Sequence, residues 1–285
     1  MKTPKRIQPL IDEGLVDEVV RPLMSGKEAA VYIVRCGHRL RCAKVYKEAS
    51  QRSFKKAVQY QEGRKVRSSR RARAMEKGSG FGRKQAEESW QHAEVDALYK
   101  LSDAGVRVPT PYGCFDGILL MELILDEDGD VAPRLNDIEL SAEQARRDHK
   151  GMMQDILRML SVGLVHGDLS EFNVLQAPEG PVIIDLPQVV DAAANNNAQW
   201  MLARDVNNIT QYYAQFAPEL ANTQYAKEIW ALFEAGNLNP DTELTGVFDE
   251  VEQAADVAGV LDEINAVFEE MQERKARQLS AKEQD

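Results

Sequence analysis

Between the apolar runs of "LVHGDLSEFNVL" and "VIIDLPQ" the chain places His166, Asp168 and Asn173, and then Asp185. Phosphoryl transfer needs a hydroxyl aimed in line at phosphorus and cations to neutralise the phosphate oxygens. Asp168 can orient that hydroxyl and receive its proton. Asn173, five residues on, offers an amide oxygen, and Asp185 ends the apolar run "PVIID" as a carboxylate. Mg²⁺ takes hard oxygen ligands and keeps water, so one carboxylate and one amide oxygen are sufficient protein ligation. His166 reads as a brace for the loop through hydrogen bonding rather than as the base.

The spacing D-x-x-x-x-N is that of a kinase catalytic loop, with the metal-binding Asp on a following hairpin. Asp and Asn also form ordinary turns. The apolar strand ending in Asp185, twelve residues beyond Asn173, raises the pattern above a turn. A nucleotide site also needs a cation under the phosphates. "CAKVY" puts Lys44 in an otherwise apolar strand, where it needs a partner, and Glu94 on the helix that follows is the candidate. "MSGKEAAVY" stands where a glycine-rich loop belongs but has one glycine. Its backbone amides and the Ser25 hydroxyl can still meet phosphate.

These residues must be held by larger elements. "VDEVVRPLMSGKEAAVYIVRCGHRLRCAKVYKE" has alternating apolar residues and tight-turn signals, which predicts two or three antiparallel strands. "SWQHAEVDALYKLSDAG" carries Trp90, Ala93, Ala97, Leu98 and Leu101 at helical spacing, with Gly105 as the stop. "VPTPYGCFDGILLMELI" returns to strand, with Gly117 turning a hairpin. "DEDGDVAPRL" is an acidic loop. Ser141 and Gln144 are placed as a capping box for the helix that follows. "NVLQ", "APEG" and "VIIDL" read as strand, turn and strand. Beyond them the chain is mostly helical, ending in an amphipathic helix with Val257, Val260, Leu261, Ile264, Val267, Phe268 and Met271. A strand-rich front half thus meets a helical back half, and the chemistry lies just past the junction.

The net charge of -11 is unevenly spread, because Arg52 to Lys84 holds twelve Lys and Arg against two Glu. That segment has few large apolar groups and reads as a partly helical insertion. It is either a solvated insertion or a surface for RNA phosphates, and it would bind them with slight sequence preference. Cys36, Cys42 and Cys114 lack metal or disulfide spacing. No stretch is long and apolar enough to span a membrane, and "MKTPKRIQPLIDEGL" has no signal-peptide core, so a cytoplasmic location is expected.

Taken together, the motifs resemble the RIO family of atypical serine/threonine protein kinases. "SGKEAAVY" is similar to its nucleotide loop, "AKVYK" to its lysine strand, "HGDLSEFNVL" to its catalytic loop and "IIDLPQ" to its metal loop. The resemblance runs over roughly residues 19–235. It implies an α+β, bilobal, kinase-like fold of reduced form, with no activation loop or peptide-binding subdomain. No A-P-E motif follows Asp185, and Leu186-Pro187 stands in place of Phe-Gly. The expected organisation is a leader over 1–18, an N-lobe over 19–123 with the basic insertion 52–84, a C-lobe over 124–235, and acidic C-terminal helices and tail over 236–285.

By position, the resemblance makes Lys44 the contact to the α- and β-phosphates and Asp168 the catalytic Asp. Asn173 and Asp185 become ligands for Mg²⁺, with Mn²⁺ as a substitute. Ser25 and Lys27 of the nucleotide loop, Glu94, and the backbone groups of Glu122 and Ile124 on the hinge strand complete the ATP contacts. The family is also associated with phosphoryl transfer to its own metal-loop Asp, here Asp185. Met24 replaces the usual Thr or Ser and Ala30 the common Asn, which bears on the loop's phosphate contacts. The acidic tail and small size suggest a bacterial-type member. Expected partners are ATP, a protein substrate and RNA or ribosomal particles through 52–84, with no membrane. Two other functions share parts of the pattern. One is a small-molecule phosphotransferase of aminoglycoside or choline kinase type, with "LDEDGD" lining a site for a cationic substrate. The other is a nucleotide-switched RNA- or ribosome-binding module.

Overall fold

The computed structural model describes residues 4–26, 29–47 and 93–248. The chain divides into two units, Met1–Val247 and Phe248–Asp285, and every described residue except Phe248 lies in the first. Lys27, the insertion 52–84 and the expected helix around 257–271 lie outside the described residues.

The front half is one antiparallel sheet. Its strands are β1 (Glu18–Ser25), β2 (Ala29–Cys36), β3 (Arg39–Tyr46), β4 (Pro111–Phe115) and β5 (Ile118–Glu122), in the order β1-β2-β3-β5-β4. Helix α1 (Gln8–Asp12) precedes them, and α2 (93–103) separates β3 from β4. The β4–β5 hairpin turns at Asp116 and Gly117, both in the left-handed region at φ 47° and 74°. That pair matches the right-handed twist of the strands, as a two-residue hairpin requires.

Strand alternation decides what each face holds. Ala43 and Val45 point outward into a cluster with Val34, Ile118 and Leu120, while Cys42, Lys44 and Tyr46 point inward. The outward cluster also contains Ile7, Leu10 and Val16, all at 1 % exposure or less. From residue 4 onward, the segment expected as a leader over 1–18 packs against the front half. Arg6 fixes it further by donating to the carbonyls of Tyr46 and Asp116. Without this cover the outward face of the sheet would expose its apolar side chains.

Two residues past the end of α2, Gly105 takes a φ of 74° that suits the reversal after a helix. The buried α2 residues Val95, Leu98 and Leu101 join Tyr46 and Leu119 in a core that continues into the back half. There α3 (Ala142–Ser161) begins at Ser141, whose side chain accepts from the Gln144 amide, one half of the expected capping box. It is followed by β6 (Leu164–Val165), β7 (Val174–Ala177), β8 (Gly180–Ile183), β9 (Val190–Asp191), α4 (Ala198–Ala214) and α5 (Tyr225–Glu234). β7 and β8 form a hairpin and β6 pairs with β9, so the loops after β6 and β8 emerge side by side. The described part of the expected C-terminal helical region, 236–248, is irregular. Glu228 ties it down by accepting from the Thr245 and Gly246 amides. No helix among the described residues is long and apolar enough to cross a membrane, and the three cysteines are free.

Candidate active site

The loop between β6 and β7 turns at Gly167 (φ 82°), which separates His166 from Asp168. His166 is buried. Its Nδ1 accepts from the Asp168 amide at 3.3 Å, so the proton sits on Nε2, which faces the Ile184 carbonyl at 3.4 Å. Burial pushes the ring down to about 4, leaving a neutral brace between the two loops. This is the role expected for His166, and a proton acceptor for substrate would need an accessible face that it lacks.

Asn173 closes the other end of the loop. Its Oδ1 accepts from the Ser170 amide at 2.9 Å, and its Nδ2 donates to the Asp168 carbonyl at 2.7 Å. These bonds fix the amide's orientation and leave Oδ1 a second lone pair for a cation. The Ile184 amide donates to the Asn173 carbonyl at 2.9 Å, which ties the backbone after β8 to the loop after β6. Asp185 follows at φ 67°, a left-handed conformation uncommon for a residue with a side chain. The Asp185 side chain is thereby turned back toward the sheet, where Lys44 Nζ lies 3.2 Å from its Oδ1.

Lys44 is the meeting point of the two halves. Its ammonium also pairs with Glu94 on α2, and the two side chains are 12 % and 4 % exposed. Burial alone would push Lys44 down, but the charges of Glu94 and Asp185 outweigh it and hold it above the ordinary lysine range. The ammonium is therefore charged at neutral pH. The Tyr46 ring lies 5.6 Å away, and burial together with Glu94 raises its hydroxyl far above the usual range. Lys44 and its two carboxylate partners border a pocket. Lys44, Glu94 and Asp185 line its polar end, and Leu119, Met121 and Ile183 its apolar end.

The other expected residues are placed as follows. The Ser25 hydroxyl sits 3.4 Å from Lys47 Nζ, which donates to the Gly26 carbonyl at 2.6 Å. Met24 meets Arg134 of the back half, whose Nη2 is 3.1 Å from its sulfur. The Glu122 carboxylate accepts from the Thr110 amide and hydroxyl at 3.1 and 3.0 Å. The Ile124 carbonyl accepts from the Ala132 amide at 3.0 Å.

Sequence reasoning missed the groups that hold the catalytic loop from below. On α4, Asp205 is buried and accepts from the Gly167 and Leu169 amides at 2.7 and 3.0 Å. Burial pushes its carboxyl up to about 7, against those two donors. Arg204 donates to the Gly167 carbonyl, and Asn208 to the Leu169 carbonyl at 3.0 Å. Gln188 donates to Asp168 Oδ2 at 3.2 Å. One signal was present: Asp205 stands at helical spacing between the buried Met201 and Ile209, where an acid needs partners.

The donor set fits a hard divalent cation. Asp185 offers carboxylate oxygens and Asn173 an amide oxygen. Among the described residues no group of three His, Cys, Asp or Glu is assembled for a metal. The chain therefore supplies part of a coordination sphere and leaves positions for phosphate oxygens and water, as Mg²⁺ prefers.

Comparison with known proteins gives a consistent result. The RIO domain family matches residues 30–226. RIO-type serine/threonine-protein kinase Rio1 of Haloferax volcanii is 30 % identical over 208 residues, covering 73 % of this chain and 67 % of that protein. Serine/threonine-protein kinase rio1 of Dictyostelium discoideum is 29 % identical over 277 residues, 94 % of this chain and 43 % of that protein. Serine/threonine-protein kinase RIO1 of Homo sapiens is 30 % identical over 206 residues, 72 % of this chain and 34 % of that protein. The chain thus spans about two thirds of the archaeal relative and less than half of the two eukaryotic ones.

Proposed function

The chain belongs to the RIO domain family of atypical kinases, and from that premise we propose that it transfers the γ-phosphoryl group of ATP in a Mg²⁺-dependent reaction. The acceptor is a serine or threonine hydroxyl of a protein, or Asp185 itself. The observation that carries this reading is the bridging of Lys44 to both Glu94 and Asp185. It puts a fixed ammonium from the sheet beside the carboxylate that follows the catalytic loop. Lys44 would hold the α- and β-phosphates, with Glu94 fixing its reach. Ser25, Lys27 and the backbone of the nucleotide loop would lie over the phosphates. The hinge groups of Glu122 and Ile124 would take the adenine. Asn173 and Asp185 would hold the metal, whose charge offsets that gathering on the phosphate oxygens. Mn²⁺ would satisfy the same oxygen donors. Asp168 would orient the acceptor hydroxyl and take its proton as the β–γ bridging P–O bond breaks and ADP departs.

The Lys44–Glu94 pair is tested through stability and activity together. Lys44→Met leaves the Glu94 carboxylate buried without its cation, which is expected to cost roughly 3–5 kcal/mol. Adding Glu94→Gln should recover most of that loss in urea unfolding but restore no phosphoryl transfer. If the double variant transfers phosphate like the wild type, Lys44 has no part in the chemistry.

A small-molecule phosphotransferase for cationic substrates is less well supported. The acidic loop it would use is folded on itself, since Asp126 Oδ1 accepts from the Asp128 and Asp130 amides at 3.1 and 2.9 Å.

The basic segment favours an added role in RNA binding. Arg64, Lys65, Arg67, Arg70, Arg71 and Arg73 stand within ten residues of an otherwise acidic chain. Attraction to RNA, free or on ribosomal particles, would be confined to 52–84 and would fall steeply with salt, because each neutralised phosphate releases counterions. A filter-binding salt titration should show a shallower slope and weaker binding when Arg67, Arg70, Arg71 and Arg73 are changed to Ala. Equal affinity and slope in the two proteins would remove this role. A cytoplasmic location goes with both readings.

A further inference from the structure

The catalytic loop from Gly167 to Asn173 contains no cation of its own. The Asp168 side chain is 57 % exposed, so packing alone does not fix its direction. Two groups from outside the loop flank it. Gln188, three residues past Asp185, donates to Oδ2 at 3.2 Å. Arg204, on α4, has its Nη2 3.9 Å from Oδ1.

Arg204 is itself closely held. It donates to the Gly167 carbonyl, lies 3.8 Å from the Asp205 carboxylate, and has its guanidinium 4.8 Å above the Trp200 ring. Its side chain is 28 % exposed, against 53 % for Arg146 in an ordinary surface pair. An arginine restrained by a carbonyl, two carboxylates and an aromatic face loses little further freedom when it acts, which is what a preorganised contact requires. The loop backbone has other anchors in Asp205 and Asn208. Among these α4 groups Arg204 also reaches the Asp168 side chain.

We infer that Arg204 is a positioning residue for phosphoryl transfer: with Gln188 it holds the Asp168 carboxylate, from both sides, at the angle from which it meets the acceptor hydroxyl. The inference rests on Asp168 being the catalytic carboxylate. It assigns Arg204 no contact with ATP, so its effect belongs to the chemical step.

The test is a double-variant cycle in the full chain with Mg²⁺ and γ-labelled ATP. Arg204→Gln should lower kcat at least ~10-fold and leave KM for ATP within about twofold, the signature of lost orientation rather than lost binding. Arg204→Lys, which keeps the charge, should recover part of the rate. In the Asp168→Asn background Arg204→Gln should change the residual rate by less than about twofold, because residues that act as a unit are not additive. Gln188→Ala should show the same dependence on Asp168, and it carries the test if Arg204→Gln fails to fold by its unfolding midpoint. An equal proportional fall in both backgrounds, or a loss confined to KM, would overturn the inference. A failure of the Asp168 assignment is distinguishable, because Asp168→Asn by itself would then turn over like the wild type.

Discussion

Asp168→Asn is expected to lower phosphoryl transfer at least ~10²-fold, equivalent to about 2.7 kcal/mol of barrier, and to leave ATP affinity within about twofold. Asn matches the shape of Asp and can still accept from Gln188, so the loop should keep its conformation. It has no oxygen able to take a proton from the acceptor hydroxyl. His166 cannot substitute, because it is buried and its two ring nitrogens are engaged with the Ile184 carbonyl and the Asp168 amide. Nucleotide affinity is assigned to Lys44, the hinge and the metal, none of which the substitution touches. The measurement is kcat from labelled phosphate together with Kd for ATP by calorimetry. A near wild-type kcat would remove Asp168 from the chemistry.

Changes at Asp185 should abolish labelling altogether. Asp185 lies 3.2 Å from the Lys44 ammonium; in the proposed role it would hold the metal beside the γ-phosphate and would accept the phosphoryl group when no other acceptor is present. The carboxylate oxygen would bond to phosphorus as the bond to ADP breaks, and water would later release phosphate and restore the acid. The wild type incubated with γ-labelled ATP should carry label that hydroxylamine removes, as an acyl phosphate requires. Asp185→Ala should lose both label and magnesium dependence, but it also puts Ala into a left-handed conformation that costs about 1–3 kcal/mol. Asp185→Asn keeps a residue type that tolerates φ of 67° and cannot form the acyl phosphate, so it separates the two effects. Label that resists hydroxylamine and maps to Ser or Thr would point instead to ordinary autophosphorylation.

Much of this site could be read from the chain because its parts are close in sequence or out of place in their element. Asp168, Asn173 and Asp185 fall within eighteen residues, and the hairpin that brings them together is local. Lys44 drew notice as a charge on a strand whose neighbours are apolar, and Glu94 as the acid on the next helix. The strand and helix order followed from alternation, turn residues and caps. What stayed hidden depended on long-range packing. Ile7, Leu10 and Val16 are spread among charged and turn residues, with no period to mark them as cover for the sheet. Arg204, Asp205 and Asn208 lie in a helix, where polar residues usually face water, and only the placement of α4 under the loop turns them inward. Gln188 lies past the metal loop and gains its meaning from a contact across twenty residues.

The fate of the γ-phosphate at this site is the central question. A single-turnover experiment with γ-labelled ATP, quenched in acid at a series of times with and without Mg²⁺, measures it directly. The expected result is a Mg²⁺-dependent transfer of label from ATP to the chain or to inorganic phosphate, lost in Asp168→Asn while ATP still binds. ATP that binds and remains intact in the wild type, or label that moves equally fast without a divalent metal, would contradict the account.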